Sequence, residues 1–176
     1  RFSKSYPSPY AVKLCQELGM FALIELPLNS VPEEILEQDD FQLRAIHRLK
    51  SYLDYSNYGN TIILGMGSSF LPNSEITQNF LSHLGQSISG KGYSTYASFI
   101  GIQTRPVKDI DLYGVELYSS TSENIREELQ KGIDAVGKGS IFISEMSYPN
   151  YLGNQSGYLA KFSSDAQAKY FRDMID

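Results

Sequence analysis

The residues with the clearest chemical potential lie where an apolar run leads into a carboxylate near the end of the chain. Gly139 precedes the run, Ile141 to Ile143 form it, and Pro149 stops it. This pattern predicts a buried strand, with Glu145 at its carboxyl end. In α/β enzymes the strand is buried and its carboxyl end presents the reacting side chains, so Glu145 is a candidate catalytic carboxylate. The alternative, that Glu145 is only the first solvated residue after the strand, stays open at this point.

Other residue types that commonly carry chemistry are sparse. His47 and His83 fall at polar positions of predicted helices, and Cys15 is the single cysteine. With no HxH or HExxH spacing and only one thiol, the sequence predicts neither a metal site nor an internal disulfide. No glycine-rich phosphate loop follows a predicted strand, since residues 65–69 (Gly-Met-Gly-Ser-Ser) match neither GxGxxG nor a Walker motif. We therefore expect no metal and no cofactor.

The composition is typical of a globular protein with a substantial core. The 176 residues are 41% hydrophobic and 20% charged, with a net charge of −5 and a pI near 5.1. An acidic chain without clustered lysines and arginines is not expected to bind nucleic acid or anionic membranes, and its apolar runs are too short for membrane insertion. Because the chain starts at Arg1 and stops within a helical pattern, we expect 1–176 to be a single unit cut from a longer protein. Its compartment and oligomeric state are left open.

The predicted elements alternate between strands and helices. Ser8 suits the N-cap of a first helix that Gly19 would end, and residues 38–57 carry a helical period. Further helices are predicted after Asn73 or Ser74, after Thr121 or Ser122, and from a capping box at 164–167. Five strands are predicted, at 21–26, 61–66, 93–100, 112–118 and 141–145. Alternation of this kind, without two-residue hairpin signals, predicts an α/β fold with parallel strands joined by crossovers.

Several segments occur in an order that is typical of one enzyme family. They are Arg-Phe-Ser-Lys-Ser-Tyr-Pro (1–7), Leu-Cys-Gln-Glu-Leu-Gly (14–19), Phe-Ala-Leu-Ile-Glu-Leu-Pro (21–27), and the segments 61–69, 111–118, 141–145 and 166–171. In this order they resemble the (β/α)8-barrel domain of glycoside hydrolase family 2. The resemblance implies a TIM-barrel-like fold, of which the chain would cover roughly strand 3 to helix 7. A complete barrel needs about 250 residues, so the chain would be an incomplete or reduced barrel.

The resemblance also implies roles for individual residues. Glu145 takes the position of the catalytic nucleophile, whereas Ser69 takes the position of the acid/base glutamate, with Ser68 at the asparagine before it. Arg1 matches an arginine that contacts the nucleophile region, and Tyr118 matches a tyrosine that supports the nucleophile. The family's early histidine is missing, because Lys4 or Ser5 stands there.

The missing acid decides the functional interpretation. Retaining glycosidases need two carboxyl groups about 5 Å apart, and a serine cannot supply a proton at neutral pH. Glu75, on the following helix, lies too far away to replace it. Glu116 is a candidate replacement acid, although strand parity argues against it because Glu116 and Tyr118 would have to share one face. We therefore expect a catalytically impaired, glycoside hydrolase-like domain that binds carbohydrate or has a structural role.

Two alternatives stay open. The first is an active retaining β-glycosidase with a relocated acid/base, and the second is a protein-interaction scaffold that keeps only the fold. Sugar contact is favoured by the thirteen tyrosines, because their rings stack on sugar faces. Tyr148, a candidate substrate-binding residue, falls with Tyr151 and Tyr158 in the loop after the strand that carries Glu145. These tyrosines could equally cover the edge of the core.

Overall fold

The structure is a computed structural model that describes residues 1–54, 61–118 and 122–175. It contains one five-stranded sheet in which every strand is parallel to its neighbours and the spatial order follows the chain. The strands are β1 (Ala22–Glu25), β2 (Ile62–Gly65), β3 (Ser94–Ile100), β4 (Leu112–Tyr118) and β5 (Ile141–Ser147). All five predicted strands are present, and the sheet curls into a half-barrel. The prediction that the strand at 141–145 is buried is wrong, because β5 is an edge strand of the sheet, none of its residues is fully buried, and Ile143 is 43% exposed.

Six helices lie within the described residues, and most of them occur where the sequence predicts helix. They are α1 (Pro9–Glu17), α2 (Glu33–Leu36), α3 (Asp39–Asp54), α4 (Glu75–Ser87), α5 (Ser122–Val136) and α6 (Ser164–Ile175). The short helix α2 falls in a stretch predicted to be a loop. No helix connects β3 to β4, where a loop from 101 to 111 makes the crossover.

The helix ends follow from local chemistry. The Ser8 hydroxyl accepts a hydrogen bond from the Ala11 amide and caps α1, as predicted. Gly19 adopts a φ of 69° after the last turn of α1, a conformation that costs glycine little. Of the two caps considered for α4, Ser74 accepts from the Thr77 amide.

One cap differs from the prediction, and some predicted features lie outside the described residues. The α6 cap is Ser163, whose hydroxyl accepts from the Ala166 amide, rather than the predicted Ser164, which is the first helical residue. Residues 55–57 of the predicted second helix and Thr121, one of two caps proposed for α5, are among the residues not described.

The core lies between the helices and one face of the sheet. Alternate strand residues point to this face, and they pack against buried residues of α1 to α4 such as Val12, Leu36, Leu49 and Leu81. A second, smaller cluster joins β4 and β5 to α5 and α6 through Val115, Leu117 and Ile125. The opposite face of the sheet carries most of the polar residues described below. Among the described residues, no helix is both long and apolar enough to cross a membrane.

Candidate active site

The candidate site lies along the carboxyl edge of the sheet, where each strand contributes a polar residue. Glu25 is the last residue of β1, Ser68 and Ser69 follow β2, and Ser98 lies in β3. Glu116 and Tyr118 end β4, and Glu145 lies near the end of β5. Arg1 comes beside β1 because Phe2 forms a parallel bridge to Ile24. Carboxyl ends of parallel strands meet at one edge, so the topology itself gathers these side chains.

An ion pair between the fully buried Glu25 and the partly exposed Arg1 forms the base of the site. Glu25 has no exposed surface, and its Oε2 atom accepts hydrogen bonds from Arg1 Nη2 at 2.7 Å and from the Tyr96 hydroxyl at 3.0 Å. Its Oε1 atom accepts from the Ser68 hydroxyl at 2.8 Å and from the Lys4 amide at 3.2 Å. Burial lowers the pKa of Arg1, but the hydrogen bond and the charge of Glu25 outweigh burial and raise it. Both charges of this pair are therefore well compensated.

Glu145 is the most accessible carboxylate of the group. Its side chain keeps 24% of its surface exposed, and its Oε1 atom lies 3.3 Å from Arg1 Nη1 and 3.6 Å from Lys4 Nζ. Its Oε2 atom accepts a 2.5 Å hydrogen bond from the Tyr118 hydroxyl. Partial burial raises the pKa of Glu145, but the Tyr118 hydrogen bond and the charges of Lys4 and Arg1 together lower it below the ordinary value. The site thus holds Glu145 as an anion, the form in which a carboxylate can act as a nucleophile.

A β-bulge in β5 sets the direction of the Glu145 side chain. Val115 pairs with Ile143, but the next residue of β4, Glu116, pairs with Glu145, so Ser144 is an extra residue. In a regular ladder Glu145 would pair with Leu117, whose side chain packs on the helix side of the sheet. The bulge instead brings Glu145 to the same face as Glu116. It also presents the Ser144 carbonyl oxygen to Arg1 Nη1, which donates to it at 2.9 Å.

Glu116 lies next to Glu145 but is almost completely enclosed. It is only 2% exposed, and it accepts hydrogen bonds from the Ser69 amide at 2.8 Å and from the Ser69 hydroxyl at 2.7 Å. The Tyr118 hydroxyl lies 3.1 Å from its Oε2 atom. A phenol has one hydrogen, and the shorter contact assigns it mainly to Glu145. Burial and the two neighbouring glutamates raise the pKa of Tyr118, so the bridging hydroxyl stays protonated.

The parity argument against Glu116 is therefore wrong. Glu116 and Tyr118 do share one face of β4, and that face accommodates both because Tyr118 reaches over Glu116 to Glu145. What limits Glu116 is its enclosure, since protein donors already occupy both of its oxygens. Ser69 is held in a left-handed conformation, with φ of 57°, that aims its amide and hydroxyl at Glu116.

Other residues considered from the sequence lie away from this cluster. Glu75 is the first residue of α4, as expected. Tyr148 packs its ring against Tyr170 of α6, with centroids 5.1 Å apart, and shows no contact to the carboxylates. Tyr151 and Tyr158 are largely exposed in the loop after β5. The described residues include no group of three or more His, Cys, Asp and Glu side chains that could hold a metal ion.

Sequence reasoning did not assign a role to three residues of the cluster. Glu25 interrupts an otherwise apolar strand, and a charged residue among buried neighbours is a usable signal. Tyr96 lies inside a β-branched and aromatic strand, where nothing in the pattern separates it from core residues. Asn29, in a loop, donates to the hydroxyls of Ser68 at 3.1 Å and Ser69 at 2.8 Å.

Comparison with solved structures finds a similar fold in parts of several larger proteins. A β-glucuronidase from an uncultured Clostridium sp. superposes with a TM-score of 0.81 and 13% sequence identity over 99% of this chain and 34% of its own. A putative β-galactosidase from Bacteroides fragilis gives 0.79 and 18% identity over 99% of this chain and 28% of its own. A GH2 β-galacturonidase from Eisenbergiella tayi bound to galacturonate gives a TM-score of 0.74 and 15% identity over 93% of this chain and 32% of its own.

These likenesses, each below 25% identity, show the fold alone, and that fold is consistent with part of a TIM-like barrel. The chain spans about a third of the length of the structures it resembles. No protein-family model matches the chain, and no curated protein matches it in sequence.

Proposed function

We propose that this chain is part of a glycoside hydrolase family 2-like barrel, from strand 3 to helix 7, that binds carbohydrate and is catalytically impaired. Glu145 is the nucleophile-type carboxylate in this proposal, and Ser69 stands where the general acid would be. The observation that carries the proposal is the unequal access of the three clustered carboxylates. Glu145 is partly exposed, whereas Glu25 and Glu116 are at least 98% buried and accept hydrogen bonds on both oxygens. A retaining reaction needs a second accessible carboxyl group to protonate the leaving oxygen.

Sugar binding would use the polar groups around Glu145. The Lys4 side chain is 46% exposed, and its ammonium can donate to a sugar hydroxyl beside its contact with Glu145. Tyr118 is 41% exposed as a residue, and an aromatic side chain of this kind can stack on a sugar. Arg1 and Ser68 would act indirectly, because both donate hydrogen bonds to the buried Glu25. Tyr148 would contribute a sugar contact from the loop after β5. Fold similarity to glycosidases supports the substrate class but does not by itself assign it.

A second candidate function, an active retaining glycosidase with Glu116 as the acid, is favoured by one contact. The Tyr118 oxygen lies 3.1 Å from one carboxyl group and 2.5 Å from the other, which keeps the two Oε2 atoms within about 6 Å. That range includes the separation of roughly 5–5.5 Å typical of retaining enzymes. For Glu116 to act, the loop carrying Ser69 would have to move away and expose it.

The test uses a panel of activated aryl glycosides, with and without azide, on the protein and on its Glu145→Gln variant. Activated leaving groups need little acid assistance, and azide replaces the missing base-activated water. Azide-dependent turnover that disappears in Glu145→Gln is the expected result. Turnover of unactivated glycosides without azide, lost in Glu116→Gln, would favour the second candidate. If no glycoside is turned over or bound, the carbohydrate proposal is refuted and a scaffold role takes its place.

A further inference from the structure

The two residues whose cations contact Glu145 are also bound to a second carboxylate, Glu25. Arg1 and Lys4 both contact Glu145 Oε1, and both are also bound to Glu25, Arg1 through its guanidinium and Lys4 through its backbone amide. Lys4 adopts a left-handed backbone with φ of 63°, a conformation that is uncommon for a residue with a side chain. A single buried carboxylate therefore binds the guanidinium of Arg1 and the backbone of Lys4, the two residues whose cations face the accessible carboxylate.

Glu25 is itself fixed more firmly than any other charged group of the site. Its two oxygens accept hydrogen bonds from Arg1, Ser68, Tyr96 and Lys4, and none of its surface is exposed. Five donor groups converge on it, which leaves the carboxylate little freedom to turn. A charge held in this way can orient its partners as a rigid template.

We propose that Glu25 is a positioning residue that acts on Glu145 through Arg1 and Lys4. It keeps both cations directed at the Oε1 atom of Glu145. The proposal rests on the function proposed above for Glu145 and adds how that carboxylate is prepared. The charged and titratable groups that face Glu145 are Arg1, Lys4 and Tyr118, with Glu116 behind Tyr118 and Glu25 behind Arg1.

Two substitutions of Glu25 separate its geometry from its charge. Glu25→Asp keeps the charge but is one methylene too short to meet all five donors, so Arg1 and Lys4 should lose their alignment. Glu25→Gln keeps the shape of the side chain and removes its charge. Its amide nitrogen is a donor and would face other donors, so it cannot bind Arg1 or Lys4 as the carboxylate does. If Glu25 acted only through its own negative charge, removing that charge would lower the pKa of Glu145. If Glu25 positions the cations, both substitutions raise it.

The experiment measures the pKa of Glu145 by carbon NMR of labelled glutamate carboxyls, assigned with Glu145→Gln. We expect Glu25→Asp to raise this pKa by about one unit, the lower end of what a neighbouring cation contributes. An unchanged pKa in Glu25→Asp, or a lowered pKa in Glu25→Gln, would overturn the proposal. Because the titration needs no sugar, its outcome is independent of whether azide-dependent turnover is found.

Variants of Arg1 test the same idea without altering the buried carboxylate, in case Glu25 variants do not fold. A lysine at position 1 can contact Glu25 or Glu145 but cannot span both as the guanidinium does. If Glu25 dominates, it captures this ammonium, and Arg1→Lys raises the pKa of Glu145 as much as Arg1→Gln does. A wild-type pKa in Arg1→Lys would refute the proposal. Where azide-dependent turnover exists, Glu25→Asp should lower kcat with little change in KM.

Discussion

Removing the Tyr118 hydroxyl should weaken the hold on the anionic form of Glu145. In the Tyr118→Phe variant the 2.5 Å hydrogen bond to Glu145 Oε2 is lost, while Arg1 and Lys4 stay on Oε1. A hydrogen bond to a charged group contributes about 1.5–3 kcal/mol, which corresponds to roughly one to two pKa units. Because a quarter of the Glu145 side chain is exposed, water can replace part of this bond, and we expect a rise of about one unit.

Carbon NMR titration of labelled glutamate carboxyls measures this rise directly. Tyr10→Phe is the matched control, because Tyr10 is 74% exposed on α1 and removing its hydroxyl should leave the titration of Glu145 unchanged. Tyr118→Phe should also reduce any azide-dependent turnover, because the hydroxyl that holds Glu145 Oε2 in position is lost. An unchanged or lowered pKa of Glu145 in Tyr118→Phe would show that the hydrogen bond does not stabilise the anion, and our account of the site would fail.

Two further predictions concern stability. The pKa of Glu145 is lowered in the folded state, so the stability that this carboxylate contributes is present above the ordinary carboxyl pKa near 4.5 and is lost as the pH falls below it. Urea unfolding at decreasing pH should therefore show a smaller loss of stability in Glu145→Gln than in the parent protein. Equal losses in the two proteins would contradict the lowered pKa of Glu145. A Cβ atom at Gly65 would lie 2.5 Å from Tyr96 Cζ, so Gly65→Ala should displace the Tyr96 ring from Glu25. We expect this change to lower the free energy of unfolding by about 1–3 kcal/mol. An unchanged urea midpoint would show that the ring can move without cost.

The fold was largely predictable because its signals are local. Short apolar runs between capped helices define the five strands, and Ser8 and Gly19 mark the ends of α1 through the chemistry of their own backbone and side chains. The short helix α2 was not predicted, because its four residues cannot show a helical period. The α6 cap was misplaced by one residue, since adjacent serines at 163 and 164 are equally good caps by type.

The site was less predictable because its geometry depends on contacts between distant strands. Glu145 was predicted as a candidate from its place at a strand end, but its environment comes from residues that are up to 144 positions away in sequence. The parity argument against Glu116 failed for a similar reason. Alternation along β4 correctly placed it on the face of Tyr118, yet only the three-dimensional arrangement shows that one tyrosine hydroxyl reaches both carboxylates. Glu25 was passed over because a strand pattern gives no account of what a buried charge is paired with.

The extra residue in β5 also affects how such a site can be found by sequence. The residues of β5 before Ser144 and those after it are each in phase with β4, but the two parts are out of phase with each other by one residue. The number of positions from the last apolar residue before the carboxylate to the carboxylate itself is therefore a local property of this strand rather than a fixed signature. A search pattern that expects the carboxylate directly after Ile143 and allows no gap would find Ser144 at that position and miss Glu145. Searches for relatives of this chain should allow an insertion at that point.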